Sequence, residues 1–134
     1  GILGIACHLA GAKSTLLIEK DETCYHHYEG VEWLLEDISE WNRKGVDLVI
    51  MNPPWGAQIS RADRPFLEAA FSSDAKVIYL LHSSSATHIQ GLAESFNWMG
   101  EIVLEGSFKL PAKYEHHRSR EGVTQVTVWR FMRN

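Results

Sequence analysis

The chain has 134 residues and a formal net charge of −4, and 45% of its residues are hydrophobic. This size and composition predict one globular domain over residues 1–134. A signal-peptide pattern and an apolar stretch of membrane-spanning length are both missing, which disfavours a membrane protein and predicts a soluble, cytoplasmic chain. The negative charge also argues against indiscriminate binding to nucleic acid.

Helices and strands are predicted to alternate along most of the chain. The predicted elements are, in order, a helix at 2–10, a strand at 14–19, a short helical turn, strands at 31–35 and 46–51, a helix at 64–72, a strand at 76–81, a helix at 86–99, and strands at 101–107 and 123–131. This alternation predicts an α/β fold with a mainly parallel sheet. Because a long loop joins the last two strands, we expect the sheet to end with an antiparallel strand.

Acidic residues follow the first two predicted strands. Glu19 ends the strand at 14–19, where a carboxylate of a nucleotide-binding sheet accepts hydrogen bonds from ribose hydroxyls. Asp37 comes soon after the strand at 31–35, although a solvated loop aspartate is the alternative. Asp21 is expected to cap the short helical turn. The order of Glu19 and Asp37 after successive strands favours a nucleotide cofactor.

The tetrapeptide Asn52-Pro53-Pro54-Trp55 directly follows the apolar strand at 46–51. The lone pair of an exocyclic amine on a base is delocalised into the ring, so the amine attacks a methyl sulfonium only when acceptors polarise it. The Asn52 oxygen and the carbonyls of a rigid Pro-Pro turn are such acceptors, and Trp55 provides a stacking face for the base. The alternative is a strand ending in a Pro-Pro turn beside a surface tryptophan, and four residues alone do not decide.

The cysteines and histidines do not have the spacing of a metal site. Two cysteines form no disulfide framework, and no Cys-x-x-Cys pair occurs. We therefore predict that the chain has no metal site. The segment His82-Ser83-Ser84-Ser85 lacks the flanking glycines of a nucleophile elbow and is expected to form a loop bordering the site.

The end of the chain is basic. Residues 106–134 carry a net charge of +4, which leaves −8 for the rest of the chain. Aromatic and hydrogen-bonding side chains are interleaved with the cations, which favours a surface facing RNA phosphates over an ordinary solvated hairpin. The predicted contacts are Lys113, Tyr114, His116, His117 and Arg118.

Several of these segments together resemble the methyltransferase-like protein five family of archaea and eukaryotes. The resemblance rests on residues 46–56, 66–67, 75–84 and 110–114 and runs through nearly the whole chain. It implies a Rossmann-like fold, the cofactor S-adenosylmethionine and methylation of the N6 amine of an adenine in small-subunit ribosomal RNA. The implied catalytic residues are Asn52, Pro53, Pro54 and Trp55, and the implied cofactor contacts are Gly1, Glu19, Asp37 and Asn52.

The chain departs from the family pattern at its beginning. The family starts with a strand and a glycine-rich turn, and Gly1 matches only the last glycine of that turn. The strand without a counterpart is central in such a sheet, so we expect its neighbours to lack a pairing partner. Residues 24–28 are also shorter than the family's second helix.

Two other functions are compatible with the same residues. One is a binding module with the methyltransferase fold, which the missing glycine turn favours. The other is methylation of a protein glutamine, because Asn-Pro-Pro-aromatic motifs also hold that amide, although the basic tail makes it the weaker alternative. The resemblance further implies a small activator protein that pairs along a sheet edge.

Overall fold

A computed structural model describes residues 1–42, 44–55, 59–109 and 123–133 of the chain. Within these residues none of the helices is long and apolar enough to cross a membrane. The described residues form three α-helices and six strands: α1 Ile2–Leu9, β1 Thr15–Glu19, β2 Val31–Leu35, β3 Leu48–Met51, α2 Arg64–Ser72, β4 Val77–Ser83, α3 Ile89–Ser95, β5 Trp98–Lys109 and β6 Val123–Arg133.

The described strands form two sheets. Strands β1 and β2 pair in parallel, and the second sheet has the order β3-β4-β6-β5. In that sheet β3 and β4 are parallel, whereas β6 is antiparallel to both of its neighbours. The predicted α/β architecture, mainly parallel at one end and antiparallel at the other, is therefore confirmed.

The division between the two sheets falls between β1 and β3. Helix α1 contacts both of these strands and β2, so one helix covers parts of the two sheets. In the described part of the chain no strand pairs with the outer edge of β3 or with the edge of β1 that faces away from β2.

The main core lies between the second sheet and helices α2 and α3. Side chains alternate along β4, so that Ile78, Leu80 and His82 are buried on one face. On α2, Leu67 and Phe71 follow helical spacing and are buried against this face. Burying a side chain of this size contributes about 1.5–3 kcal/mol, so this face of the sheet holds β4 rigidly in place.

The predicted helix at 86–99 is wrong at both ends. Helix α3 covers only Ile89–Ser95, and β5 already begins at Trp98. Asn97 has a φ of 62°, a left-handed conformation that ends the helix. Trp98 is buried and Met99 is exposed, which is the alternation of a strand and not of a helix.

Candidate active site

The tetrapeptide Asn52-Pro53-Pro54-Trp55 lies at the carboxyl end of β3. Strand β3 pairs with β4 up to Met51 and Leu80, after which the chain leaves the sheet. Pro53 is buried, whereas Asn52 and Pro54 are exposed. The prolines fix φ and carry no N–H, so this short segment presents carbonyl oxygens without neighbouring donors. The structure thus places the predicted amine-binding residues at a strand end, where ligands of open α/β sheets bind.

Asn52 and Trp55 are directly connected. The indole Nε1–H of Trp55 donates a hydrogen bond of 3.0 Å to Oδ1 of Asn52. An amide oxygen can accept two hydrogen bonds, so one acceptor position of Asn52 remains for a substrate amine. This hydrogen bond therefore fixes the predicted acceptor, Asn52, relative to the predicted stacking face, Trp55.

The ring of Trp55 is backed by His82. The two ring centroids are 6.1 Å apart, with an angle of 35° between the ring planes. His82 was predicted to lie in a loop, but it is the penultimate residue of β4 and only 1% exposed. His82 stays in the strand because β4 remains paired with β6 as far as Ser83 and Val126.

Asp63 and His88, which no sequence pattern marks, join His82 in one cluster. Asp63 Oδ2 is 3.1 Å from His82 Nε2 and 2.6 Å from His88 Nε2. These residues are far apart in the sequence, and only the packing of α2 and α3 on β4 brings them together. An aspartate just before a helix is usually expected to cap it, yet the Asp63 side chain makes no capping hydrogen bond.

The cluster contains a histidine whose charged form is disfavoured. Burial lowers the pKa of His82, an effect that outweighs the opposing influences of the Ser83 backbone and the Asp63 carboxylate. The lowered pKa favours the neutral imidazole, and its Nε2–H donates to Asp63 because a carboxylate oxygen only accepts. His82 Nδ1 is buried and makes no hydrogen bond within the described residues.

Glu19 and Asp37 lie at the carboxyl ends of the adjacent parallel strands β1 and β2. The backbone N–H of Glu36 donates to the carbonyl of Glu19 at 3.0 Å, which ties the two strand ends together. Glu19 Oε1 accepts the backbone N–H of Asp21 at 3.0 Å. Each carboxylate therefore lies where the sequence predicted it.

Asp37 also has a local structural role that the sequence analysis did not predict. Its Oδ1 accepts the backbone N–H and the hydroxyl of Ser39 at 3.0 and 2.8 Å, at the start of the 3₁₀ turn Ile38–Glu40. These hydrogen bonds, the backbone one first, lower the pKa of Asp37, so the carboxylate is ionised. The predicted capping role of Asp21 is confirmed, because its Oδ1 accepts the N–H of Thr23 at 2.9 Å.

A cavity of about 200 Å³ lies beside Glu19. The rings of Tyr25 and Trp33 meet edge to face in its wall, with centroids 5.3 Å apart. A carboxylate for ribose hydroxyls and an aromatic wall for a planar base fit the adenosine part of S-adenosylmethionine. The cavity is lined by Glu19, Asp21, Tyr25, Trp33, Leu34 and Leu35.

Gly1 contacts the same aromatic wall. A Cβ atom on Gly1 would lie 2.6 Å from Cη2 of Trp33, which is too close for any other residue without a shift of the indole. The absence of a side chain at this position is thus explained by packing, and a cofactor contact of Gly1 stays a prediction.

The predicted RNA contacts Lys113, Tyr114, His116, His117 and Arg118 lie outside the described residues. Their role stays a prediction.

Comparison with curated proteins identifies close relatives, although no protein-family model matches the chain. The chain is 31% identical over 147 residues to the rRNA N(6)-adenosine-methyltransferase Mettl5 of Drosophila melanogaster, an alignment that covers 98% of the chain and 68% of the fly protein. It is 37% identical over 90 residues to METTL5 of Danio rerio, with 66% of the chain and 44% of the fish protein aligned. The match therefore spans less than half of the fish relative.

Solved structures show the same fold. A Pyrococcus horikoshii protein provisionally assigned as an RNA methyltransferase superposes with a TM-score of 0.81 and 27% identity, over 99% of this chain and 70% of that protein. Magnesium protoporphyrin IX methyltransferase of Synechocystis, crystallised with bound S-adenosylmethionine, superposes with a TM-score of 0.62 and 14% identity, over 100% of this chain and 65% of that protein. The latter supports the fold alone. Fold and sequence together show that the chain has a Rossmann-like methyltransferase fold and belongs to the Mettl5 family.

Proposed function

We propose that the chain methylates the N6 amine of an adenine in RNA, with S-adenosylmethionine as methyl donor. The observation that carries this proposal is the Asn52 amide oxygen beside the Trp55 ring at the end of β3. The names of the fly and fish relatives support ribosomal RNA as the substrate. A ribosomal substrate also supports a cytoplasmic location.

The protein contributes mainly by positioning and polarising the amine. An adenine stacked on Trp55 would present its N6 group toward Oδ1 of Asn52, where a second hydrogen bond can form. The carbonyl oxygens of Pro53 and Pro54 provide further acceptors. Hydrogen bonds that draw the amine protons out of the ring plane restore the lone pair on nitrogen and make it nucleophilic.

No general base is needed before the attack. The amine carries a positive charge once it has been alkylated, so its proton is acidic and leaves to water or to a nearby carbonyl. When bound, S-adenosylmethionine supplies an electrophilic methyl group on a sulfonium. Glu19 would hold its ribose hydroxyls, Asp37 would accept its adenine amine, and Gly1 and Asn52 would contact its methionine end.

Two surfaces are proposed for larger partners. The basic segment with Lys113, Tyr114, His116, His117 and Arg118 would hold RNA phosphates and bases. A small activator protein would pair with the outer edge of β2, which in the described part of the chain pairs only with β1. Leu35 on that strand is 59% exposed and would be covered by such a partner.

Two observations favour a second function, that of a binding module with the methyltransferase fold. The gap between β1 and β3 lies near the predicted cofactor pocket, and the cavity beside Glu19 is smaller than the roughly 300–1,000 Å³ of most ligand sites. A binding module would recognise RNA without transferring a methyl group.

Calorimetric titration with S-adenosylmethionine separates the two functions. The methyltransferase proposal predicts saturable binding that is lost in the Glu19→Ala, Asp37→Ala double variant. The matched control is the Glu29→Ala, Asp47→Ala double variant, which removes two exposed acids that precede β2 and β3, away from the carboxyl ends of these strands, and is expected to bind normally. A folded wild-type chain that binds no cofactor would exclude the methyltransferase proposal for this chain and favour the binding module.

A further inference from the structure

Three polar side chains converge behind Trp55, and none of them has a role in the mechanism described above. Asp63 lies just before α2, His82 near the end of β4, and His88 just before α3. Asp63 and His82 are 2% and 1% exposed, whereas the His88 side chain is 53% exposed. The cluster therefore extends from the buried side of Trp55 to the protein surface.

The Asp63 carboxylate fixes the orientation of the His82 ring. A buried carboxylate is costly unless donors satisfy it, and here both imidazoles reach the same oxygen, Oδ2. His82 Nδ1 makes no hydrogen bond within the described residues. Asp63 is thus the side-chain hydrogen-bond partner that sets how the His82 ring is turned.

His82 in turn supports the residues that hold the amine. Its ring lies 6.1 Å from that of Trp55, and Trp55 donates to Asn52 at 3.0 Å. If the His82 ring rotated, it would no longer support the Trp55 indole on that side. The indole N–H would then no longer hold the Asn52 oxygen in one orientation.

We propose that Asp63 is a positioning residue, which acts through His82 to fix the Trp55 ring and thereby the Asn52 acceptor. The part of this inference that concerns methyl transfer rests on the proposed function. The part that concerns the orientation of Trp55 does not, because it can be measured on the free protein.

The same three side chains have the donor types of a metal site, but their geometry favours a hydrogen-bonded network. Their possible ligand atoms all lie within 4.8 Å of one another. A cation would have to replace both hydrogen bonds, since they use the same Nε2 and Oδ2 atoms.

The cavity next to the cluster is also basic. It has a volume of about 380 Å³, and Arg61 and Arg64 line it together with Asp63 and His88. Both arginines are exposed, and Arg64 is paired with Glu68. Positive charge at the entrance disfavours a cation in the cluster.

The first test is the indole N–H resonance of Trp55 in the ¹⁵N-labelled chain, without cofactor or RNA. The resonance is assigned by its loss in Trp55→Phe. Asp63→Asn is nearly isosteric but removes the charge that holds His82, so we expect the Trp55 resonance to shift. The buried indole of Trp98, which donates to the Phe71 carbonyl at 2.8 Å, should keep its resonance and shows that the variant is folded.

Asp74→Asn is the matched control for the same chemical change. Asp74 accepts hydrogen bonds from the backbone N–H groups of Gly45 and Val46, which precede the amino end of β3. We expect this variant to leave the Trp55 resonance in place. A folded Asp63→Asn chain with an unchanged Trp55 resonance would overturn the proposal.

The second test is steady-state methyl transfer to RNA by the same two variants. Asp63→Asn should lower kcat by about tenfold or more and leave the KM for S-adenosylmethionine within about threefold, because the residue acts on the amine acceptor and not on cofactor binding. Asp74→Asn should keep both kcat and the KM for S-adenosylmethionine within about twofold of the wild-type values. If the wild type transfers no methyl group, the proposed function fails, and the Trp55 resonance alone decides the positioning role.

A Zn²⁺ titration of the wild type followed by the His82 and His88 resonances completes the test. No change in these resonances supports the hydrogen-bonded network. Stoichiometric binding that shifts both histidines and is lost in Asp63→Asn would overturn it in favour of a metal site.

Discussion

The indole N–H of Trp55 donates to the side-chain oxygen of Asn52 at 3.0 Å, so the stacking face and the amine acceptor form one hydrogen-bonded unit. Phenylalanine could provide the stacking face as well, but it has no N–H. The indole therefore adds something that an aromatic ring alone does not, namely a fixed orientation of the Asn52 amide.

Trp55→Phe separates these two contributions. It keeps an aromatic face and loses the donor, so we expect kcat to fall by about tenfold while the KM for RNA changes by less than about threefold. Trp55→Leu also removes the face and should raise the KM for RNA, since stacking a base on an aromatic ring is worth about 1–3 kcal/mol. Methyl-transfer kinetics of both variants check this. Equal kcat values for wild type and Trp55→Phe would show that the indole N–H has no role.

Stability should fall as the pH drops below about 6.5, the ordinary pKa of histidine. His82 is buried and its pKa is lowered in the folded chain, so folding opposes its protonation. The resulting stabilisation is complete above the pKa of the unfolded chain and is lost as the pH falls through the lower, folded pKa. Among the described residues, the titratable groups that face His82 are Asp63 and His88.

Thermal unfolding of His82→Gln tests this dependence, because glutamine can still donate to Asp63 but does not titrate. Its melting temperature should depend less on pH between about 5 and 7 than that of the wild type. His27→Gln, which changes an exposed histidine, should behave like the wild type. An identical pH dependence in His82→Gln and wild type would mean that another group titrates in this window.

Two glycines offer a matched test of the packing. A Cβ on Gly100 of β5 would lie 2.4 Å from Cε1 of the fully buried Phe131, whereas a Cβ on Gly91 of α3 would meet nothing within 4 Å. Gly100→Ala should lower the free energy of unfolding by about 1–3 kcal/mol. Gly91→Ala should raise it by about 0.5–1 kcal/mol, since alanine favours the helix. Urea denaturation measures both, and a stabilising Gly100→Ala would contradict the packing of β5 on β6.

The fold could be predicted well wherever the signals are local. Strand Val31–Leu35 and helix Arg64–Ser72 have the bounds expected from the sequence, because an apolar run and a proline in the first helical turn mark them directly. The end of α3 was missed because it depends on the left-handed conformation of Asn97, which a non-glycine residue adopts only in a suitable context.

In the candidate site, too, only the residues marked by the local sequence could be predicted. Asn52, Glu19 and Asp37 could be placed because each lies at or just after the end of a recognisable strand. Asp63 and His88 could not, because nothing near them in the sequence marks their meeting with His82. Their contact depends on how two helices pack on β4, which is a property of the tertiary structure.

The most direct test of the central claim is methyl transfer to small-subunit ribosomal RNA, followed by digestion and mass spectrometry of the nucleosides. The wild type should form N6-methyladenosine, and Asn52→Ala should lower the rate at least about 100-fold, the effect typical of removing one hydrogen-bonding group that acts in the transition state. Asn42→Ala, an exposed asparagine outside the tetrapeptide, should retain the wild-type rate. No N6-methyladenosine from a folded chain that binds S-adenosylmethionine, or equal rates for Asn52→Ala and wild type, would contradict the account.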